Sequence, residues 1–158
     1  MANTQSMTTS FMGELMTATH NFGTAPIRAA TTADTFKAAL YLTSATVNAA
    51  TTAYSSTGEV TGTGYTAGGV TVTNATAPIA TNSSATAGVA YWTPSASITY
   101  TTVTLTTAFD AVLIYNSTQS NKAVSVHTFG SQTITAGTFT LTMPSNTTTT
   151  ALLRLSTT

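Results

Sequence analysis

The sequence predicts an all-β protein: an antiparallel β-sandwich, jelly-roll-like, with a short N-terminal helix. Three observations carry that prediction. Threonine supplies 42 of the 158 residues, while Lys, Arg, Asp and Glu together make up 5%, where an ordinary soluble domain has about a quarter. β-Branched side chains favour pleated sheet over helix. From Asp34 onward apolar residues recur with period two, and turn-forming residues interrupt the runs at a spacing of about ten residues, as in sandwiches.

The elements follow in order. In residues 7–20, Met7, Phe11 and Leu15 recur every fourth position beside Met12 and Met16, which marks the apolar stripe of a short helix. Ser10 or a neighbouring threonine can cap it, and Gly23 and Pro26 end it. In residues 34–43, Phe36, Ala38, Leu40 and Leu42 share one face of a strand, with Lys37, Ala39 and Tyr41 opposite. Residues 47–54 form a loop or short strand. Five of the ten glycines fall within residues 58–69. No Gly-Lys-Ser/Thr follows and no helical pattern opens there, so this is a bend between strands and not a phosphate loop.

Val70 and Val72 begin a short strand, residues 74–88 are a polar loop, and Trp92 packs in a sheet or core. Ile98 and Tyr100 alternate out of phase with Val103 and Leu105, which requires a bulge between Tyr100 and Val103. Residues 109–115 are apolar on both faces, as a central strand is. Residues 116–122 turn the chain into a return strand over 122–129, ended by Gly130. A further hairpin bends at Ala136 and Gly137, and residues 151–155 form the last strand. The organisation expected is an N-terminal helix or arm over 1–33 and one sandwich domain over 34–158, with about eight short strands.

Composition narrows the function classes. Zero formal net charge leaves no basic patch for phosphates, so neither nucleic acid nor an anionic membrane surface is an expected partner. With no cysteine, disulfides and thiolate metal sites are ruled out. Residues 1–16 lack the basic and long apolar segments of a secretory signal, and no run of about 18 apolar residues exists to cross a bilayer as a helix. His20 and His127 stand alone in sequence, outside any metal-ligand pattern. Asp110, within an apolar strand, calls for Lys122 or Arg154 as partner or for an exposed strand end. No G-x-S-x-G elbow is present. The N-x-S/T triplets at Asn74, Asn82, Asn116 and Asn146 are what so much threonine produces by chance. No catalytic residue, cofactor or metal is expected, and an enzyme is not.

The order of segments carries a resemblance. A short SFMGELMTATHNF helix precedes DTFKAALYL and GEVTGTGYTAGGVTVT. The long YWTPSASITYTTVTLTTAFDAVLIYNSTQSNKAVSVHTFG run follows, and TFTLTMPSNTTTTALLRL closes the sequence. Over almost its whole length the chain resembles small structural proteins of tailed bacteriophages, in particular the cement or decoration proteins of their icosahedral capsids. The resemblance implies a virion protein made in the bacterial host cytoplasm and placed on the capsid exterior. Its implied partners are the major capsid protein and neighbouring copies of itself. The alternative is a tail, neck or fibre component whose tyrosines contact a glycan receptor. A cement needs contact area and no chemistry, and two segments offer it: Phe11, Met12, Leu15 and Met16 on the helix, and Leu152, Leu153, Arg154 and Leu155 at the last strand. Edges of the threonine-rich strands are a third contact element.

Overall fold

The computed structural model describes residues 3–16, 19–20, 22, 33–73, 78–81 and 89–156. Along the chain these form β1 (Ser6–Met7), α1 (Thr9–Met16), β2 (Phe36–Leu42), β3 (Val70–Thr71), β4 (Ile79–Thr81), β5 (Val89–Trp92), β6 (Ile98–Asn116), β7 (Lys122–Leu141) and β8 (Leu153–Ser156). The protein is all-β. One sheet has the order β1-β7-β6-β2-β3 and the other β4-β5-β8, with antiparallel neighbours throughout.

The frame is the β6–β7 hairpin, of 19 and 20 residues, paired from Asn116↔Lys122 beside the turn to Ile98↔Leu141 at the far end. Here the sequence reading needs correction, because it splits β6 into two strands and β7 into three. Gly130 does not end β7, and Ala136 and Gly137 do not turn a new hairpin. A continuous partner strand absorbs them as irregularities: Ala136 takes φ 47 and its N–H donates to Thr104 Oγ1 at 3.0 Å. The bulge expected between Tyr100 and Val103 is present, with a register shift at that point and Thr102 at φ 54.

The N-terminal segment departs from a helix over 7–20. Met7 pairs with Ser125 of β7, and the helix is confined to Thr9–Met16. Thr8 lies between them, fully buried, with its N–H on the Val124 carbonyl at 3.1 Å. Its hydroxyl is shared between the carbonyls of Ala123 and Val124 at 3.2 and 3.3 Å. These bonds tie the start of α1 to the large sheet.

The large sheet is buried on both faces. On one side Phe36, Ala38, Leu40, Phe109, Val112, Ile114 and Val124 join Phe11, Phe22, Trp92 and Leu153 in the main core. On the other, Ala39, Tyr41, Ala111, Leu113, Tyr115 and Val126 pack under Ala45, Val47 and Tyr54. Ala39 and Tyr41, on the face of β2 opposite Phe36, are thus covered by the segment that follows it. That segment is clamped by Glu59, 6% exposed, which accepts from Tyr54 Oη at 2.6 Å, Tyr65 Oη at 2.7 Å and the Gly68 N–H at 2.7 Å. Burial pushes the Tyr41 and Tyr115 phenols up to about 12, and nearby Glu59 adds to it in both.

Candidate interaction surface

The small sheet places side chains by its pleat. Cross-strand partners share a face. Trp92 with Leu153 and Ala90 with Leu155 therefore lie on one side, while Ile79, Tyr91 and Arg154 form a row across the other. The first side closes an apolar pocket of about 80 Å³ lined by Met7, Phe11, Leu15, Trp92, Leu153 and Leu155, among others. Ile79 and Leu155, 44% and 41% exposed, are the large apolar residues left standing at the surface among the described residues. Both belong to this sheet. Arg154 is exposed beside them, its Nη1 held by the carbonyl of Thr148 at 3.3 Å and by that of Thr149.

The eight residues expected to form a contact surface divide accordingly. Arg154 and Leu155 are exposed, and Leu15 and Leu152 are half-buried. Phe11 and Leu153 are core residues. Phe11 lies edge-on to His20 and Phe22, with ring centroids at 4.8 and 5.8 Å, and Leu153 pairs with buried Trp92. Aromatic area of this size is more stabilising inside than at a wet surface. The side chains of Met12 and Met16 lie outside the described residues. Sequence reasoning missed Ile79 and missed that Tyr91 sits in the Arg154 row, because strand pairing alone brings them together. Four aromatic residues that could together stack on a sugar, Tyr65, Tyr91, Trp92 and Tyr100, do not share an exposed face: Trp92 and Tyr100 are buried, and Tyr65 stacks on Tyr100 at 5.9 Å.

No protein-family model, no curated protein and no solved structure matches this chain. The reading of the surface therefore rests on its own geometry.

The four carboxylates and both histidines are engaged within the fold. Asp110 meets neither Lys122 nor Arg154; its Oδ1 accepts from Asn3 Nδ2 at 2.6 Å. Glu14, His20, Asp34, Asn116 and Lys122 form one chain of contacts. Asn116 Oδ1 accepts from the Thr118 and Gln119 N–H groups, both at 3.1 Å, so its amide nitrogen faces Asp34 Oδ2 at 2.8 Å and His20 Nδ1 at 3.1 Å. An amide nitrogen only donates. His20 Nδ1 is therefore the acceptor, and Nε2 carries the proton donated to Glu14 Oε2 at 2.7 Å. The other Glu14 oxygen takes Lys122 Nζ at 2.5 Å. Burial lowers the His20 pKa despite the carboxylates beside it. Burial alone would raise Glu14, but hydrogen bonds from Lys122 and His20 bring it below its ordinary value. This is a carboxylate shared by an ammonium and a neutral imidazole. It fastens α1 to the β6–β7 turn.

Ser125 Oγ lies 2.9 Å from His127 Nε2, which invites comparison with a nucleophile and its base. Ser125 is buried, and burial pushes His127 down to about 4, opposite to what a general base at neutral pH requires. Among the described residues no group of three His, Cys, Asp or Glu is placed to hold a metal ion.

These shifts share one sign. Both histidines bind a proton less readily folded than unfolded, so stability falls as pH drops below about 6.5, and Glu14 adds to the loss at lower pH as it protonates. Thermal melts are expected to show a lower midpoint at pH 5 than at pH 7. His127→Gln, which keeps a polar partner for Ser125, is expected to shrink that difference; an unchanged difference would exclude His127 as a contributor.

Proposed function

We propose that this chain is a non-enzymatic structural protein of a tailed-phage virion, a cement or decoration protein on the capsid exterior that ties together neighbouring major capsid subunits. The observation that carries the proposal is where the unsatisfied surface lies. None of the four carboxylates is exposed, while exposed Ile79, half-buried Tyr91 and exposed Arg154 form a row on one face of the small sheet, with exposed Leu155 on its other face. Tyrosine and arginine are enriched at the energetic centres of protein interfaces, and aliphatic side chains fill the area around them. A protein that stabilises an assembled lattice needs such area, since it acts by binding the assembled state in preference to the unassembled one. The sequence resemblance to capsid cement proteins points the same way.

The same reading takes the two sheets as the layers of a sandwich. Trp92 and Leu153 from the small sheet share one core with Phe36, Leu40 and Val112 from the large one.

Quantitative mass spectrometry of purified virions is the test. The protein is expected in copy number comparable with the major capsid protein, and particles lacking it are expected to lose their genome at lower temperature. A handful of copies per particle, or label confined to the tail, overturns the capsid assignment in favour of a tail, neck or fibre component.

A further inference from the structure

Two sheet edges flank one cleft. β8 is the outer strand of the small sheet and β1 the outer strand of the large one. Between them runs a cleft of about 260 Å³, lined by Ser6 and Met7 at one side, Leu153 and Arg154 at the other, and Val126 and His127 of β7. Met7 and Leu153 also line the apolar pocket beside Trp92, so the cleft adjoins the pocket. Among the described residues no strand pairs with the outer side of β8. Its backbone offers a strand-addition edge, as sheets that capture extended segments do.

Charge selects the occupant. Arg154 is exposed, and among the described residues no carboxylate pairs with it. The chain has four acidic residues. Glu14 is held by Lys122 and His20, Asp34 by Asn116 and Gln119, Glu59 by Tyr54, Tyr65 and the Gly68 N–H, and Asp110 by Asn3. None of the four is exposed. A second copy therefore has no exposed side-chain carboxylate to bring to Arg154.

We infer that the β8 edge receives an extended segment of a different protein, with the alternating pattern apolar–acidic–apolar. The pleat dictates the pattern. Leu153 and Leu155 face the pocket side and Arg154 the other, so an added strand sets its acid across from Arg154 and its two apolar neighbours across from the leucines. The Thr148 and Thr149 carbonyls hold Nη1, which orients the guanidinium before the partner arrives and lowers the entropy cost of binding. This inference deepens the cement reading by naming the chemistry of the partner segment, and rests on it only for the partner's being a virion protein.

Trp92 is the sole tryptophan and lines the pocket, so its emission reports on the site. The probes are two end-blocked peptides, Thr-Thr-Val-Glu-Val-Thr-Thr and Thr-Thr-Val-Lys-Val-Thr-Thr, titrated into the full chain. The Glu peptide is expected to saturate the Trp92 signal with an affinity about tenfold above that of the Lys peptide. Arg154→Glu is expected to invert that preference, with an unchanged melting temperature because Arg154 is exposed. Leu155→Thr is expected to weaken both peptides alike. Equal binding of the two peptides, binding of neither, or a self-association lost in Arg154→Glu overturns the inference. Its failure is separable from that of the cement reading. A protein abundant on the shell whose Arg154→Glu variant decorates equally well sinks this inference alone. Peptide preference in a protein absent from the shell sinks the cement reading alone.

Discussion

Glu59→Leu is expected to destabilise the fold by about 4 kcal/mol, lowering the melting temperature by roughly 10 °C for a chain of this size. The carboxylate is the common acceptor for two phenols and one backbone amide. Tyr65 is itself bound on its other side, since its hydroxyl oxygen accepts the Leu40 N–H at 3.0 Å. Glu59 thus joins the glycine-rich bend, through Tyr65, to the centre of β2. Leucine fills the space but leaves the donors of Tyr54, Tyr65 and Gly68 without their acceptor in a site where water has little access. Orphaned buried donors cost more than the net worth of the bonds they made. Glu59→Gln separates shape from chemistry. Its amide keeps one acceptor oxygen and turns an NH₂ toward groups that also donate, so a smaller loss of about 2 kcal/mol is expected. Urea denaturation followed by circular dichroism measures both. A Glu59→Leu protein within about 1 kcal/mol of the parent would show that the clamp is not what holds the bend.

This clamp also marks how far the sequence could be read. Period-two alternation located β2, and short apolar runs located the last strand and the central part of β6, because buried faces leave those signatures directly. The phase change at Tyr100–Val103 placed a bulge correctly, since an added residue is the simplest way to keep Val103 and Leu105 inward. Gly130 and Ala136–Gly137 misled for the opposite reason. Glycine marks a break only when no partner strand continues past it, and β6 does continue. The second buried face of β2 was not legible either, because Ala39 and Tyr41 look like an outer face until residues 45–60 cover them.

At the proposed contact surface, Arg154 and Leu155 could be picked out because they lie side by side on one short strand. Ile79 and Tyr91 could not, since only β4–β5–β8 pairing puts them in the Arg154 row. The Glu14–His20–Asn116 chain was out of reach for the same reason: its members are single residues far apart in sequence. Glu59 did carry a signal. It is the lone acid near the glycine run, with Tyr54 five residues before it and Tyr65 six after.

Among the described glycines, Gly69→Ala is expected to be the most damaging alanine substitution, at more than about 4 kcal/mol. A Cβ at that position would lie 1.7 Å from the Ala38 carbonyl oxygen and 2.5 Å from its carbon, and the backbone there has φ +70. The conformation alone costs an L-residue about 1–2 kcal/mol. The clash is worse, because the obstacle is main chain in the middle of β2 and not the end of a flexible side chain. Relief requires the bend to lift from β2. Lifting breaks the Ala38↔Val70 and Lys37↔Thr71 pairs that make β3. It also disturbs the Ala38 carbonyl, which accepts the buried Tyr100 hydroxyl at 2.8 Å. Gly130→Ala is the control. A Cβ there meets nothing within 4 Å, and the added methyl restricts the unfolded chain, so the change is expected to be neutral or stabilising by up to about 1 kcal/mol. Hydrogen exchange distinguishes the mechanism: in Gly69→Ala the amides of residues 68–72 should exchange faster than those of β6 and β7, whereas equal melting temperatures for the two variants would contradict the close approach. The contrast bears on function as well. In the proposed role as contact area, the faces must stay fixed with few charges to pin them, and a bend laid directly on β2, too close for any side chain, fixes one of them.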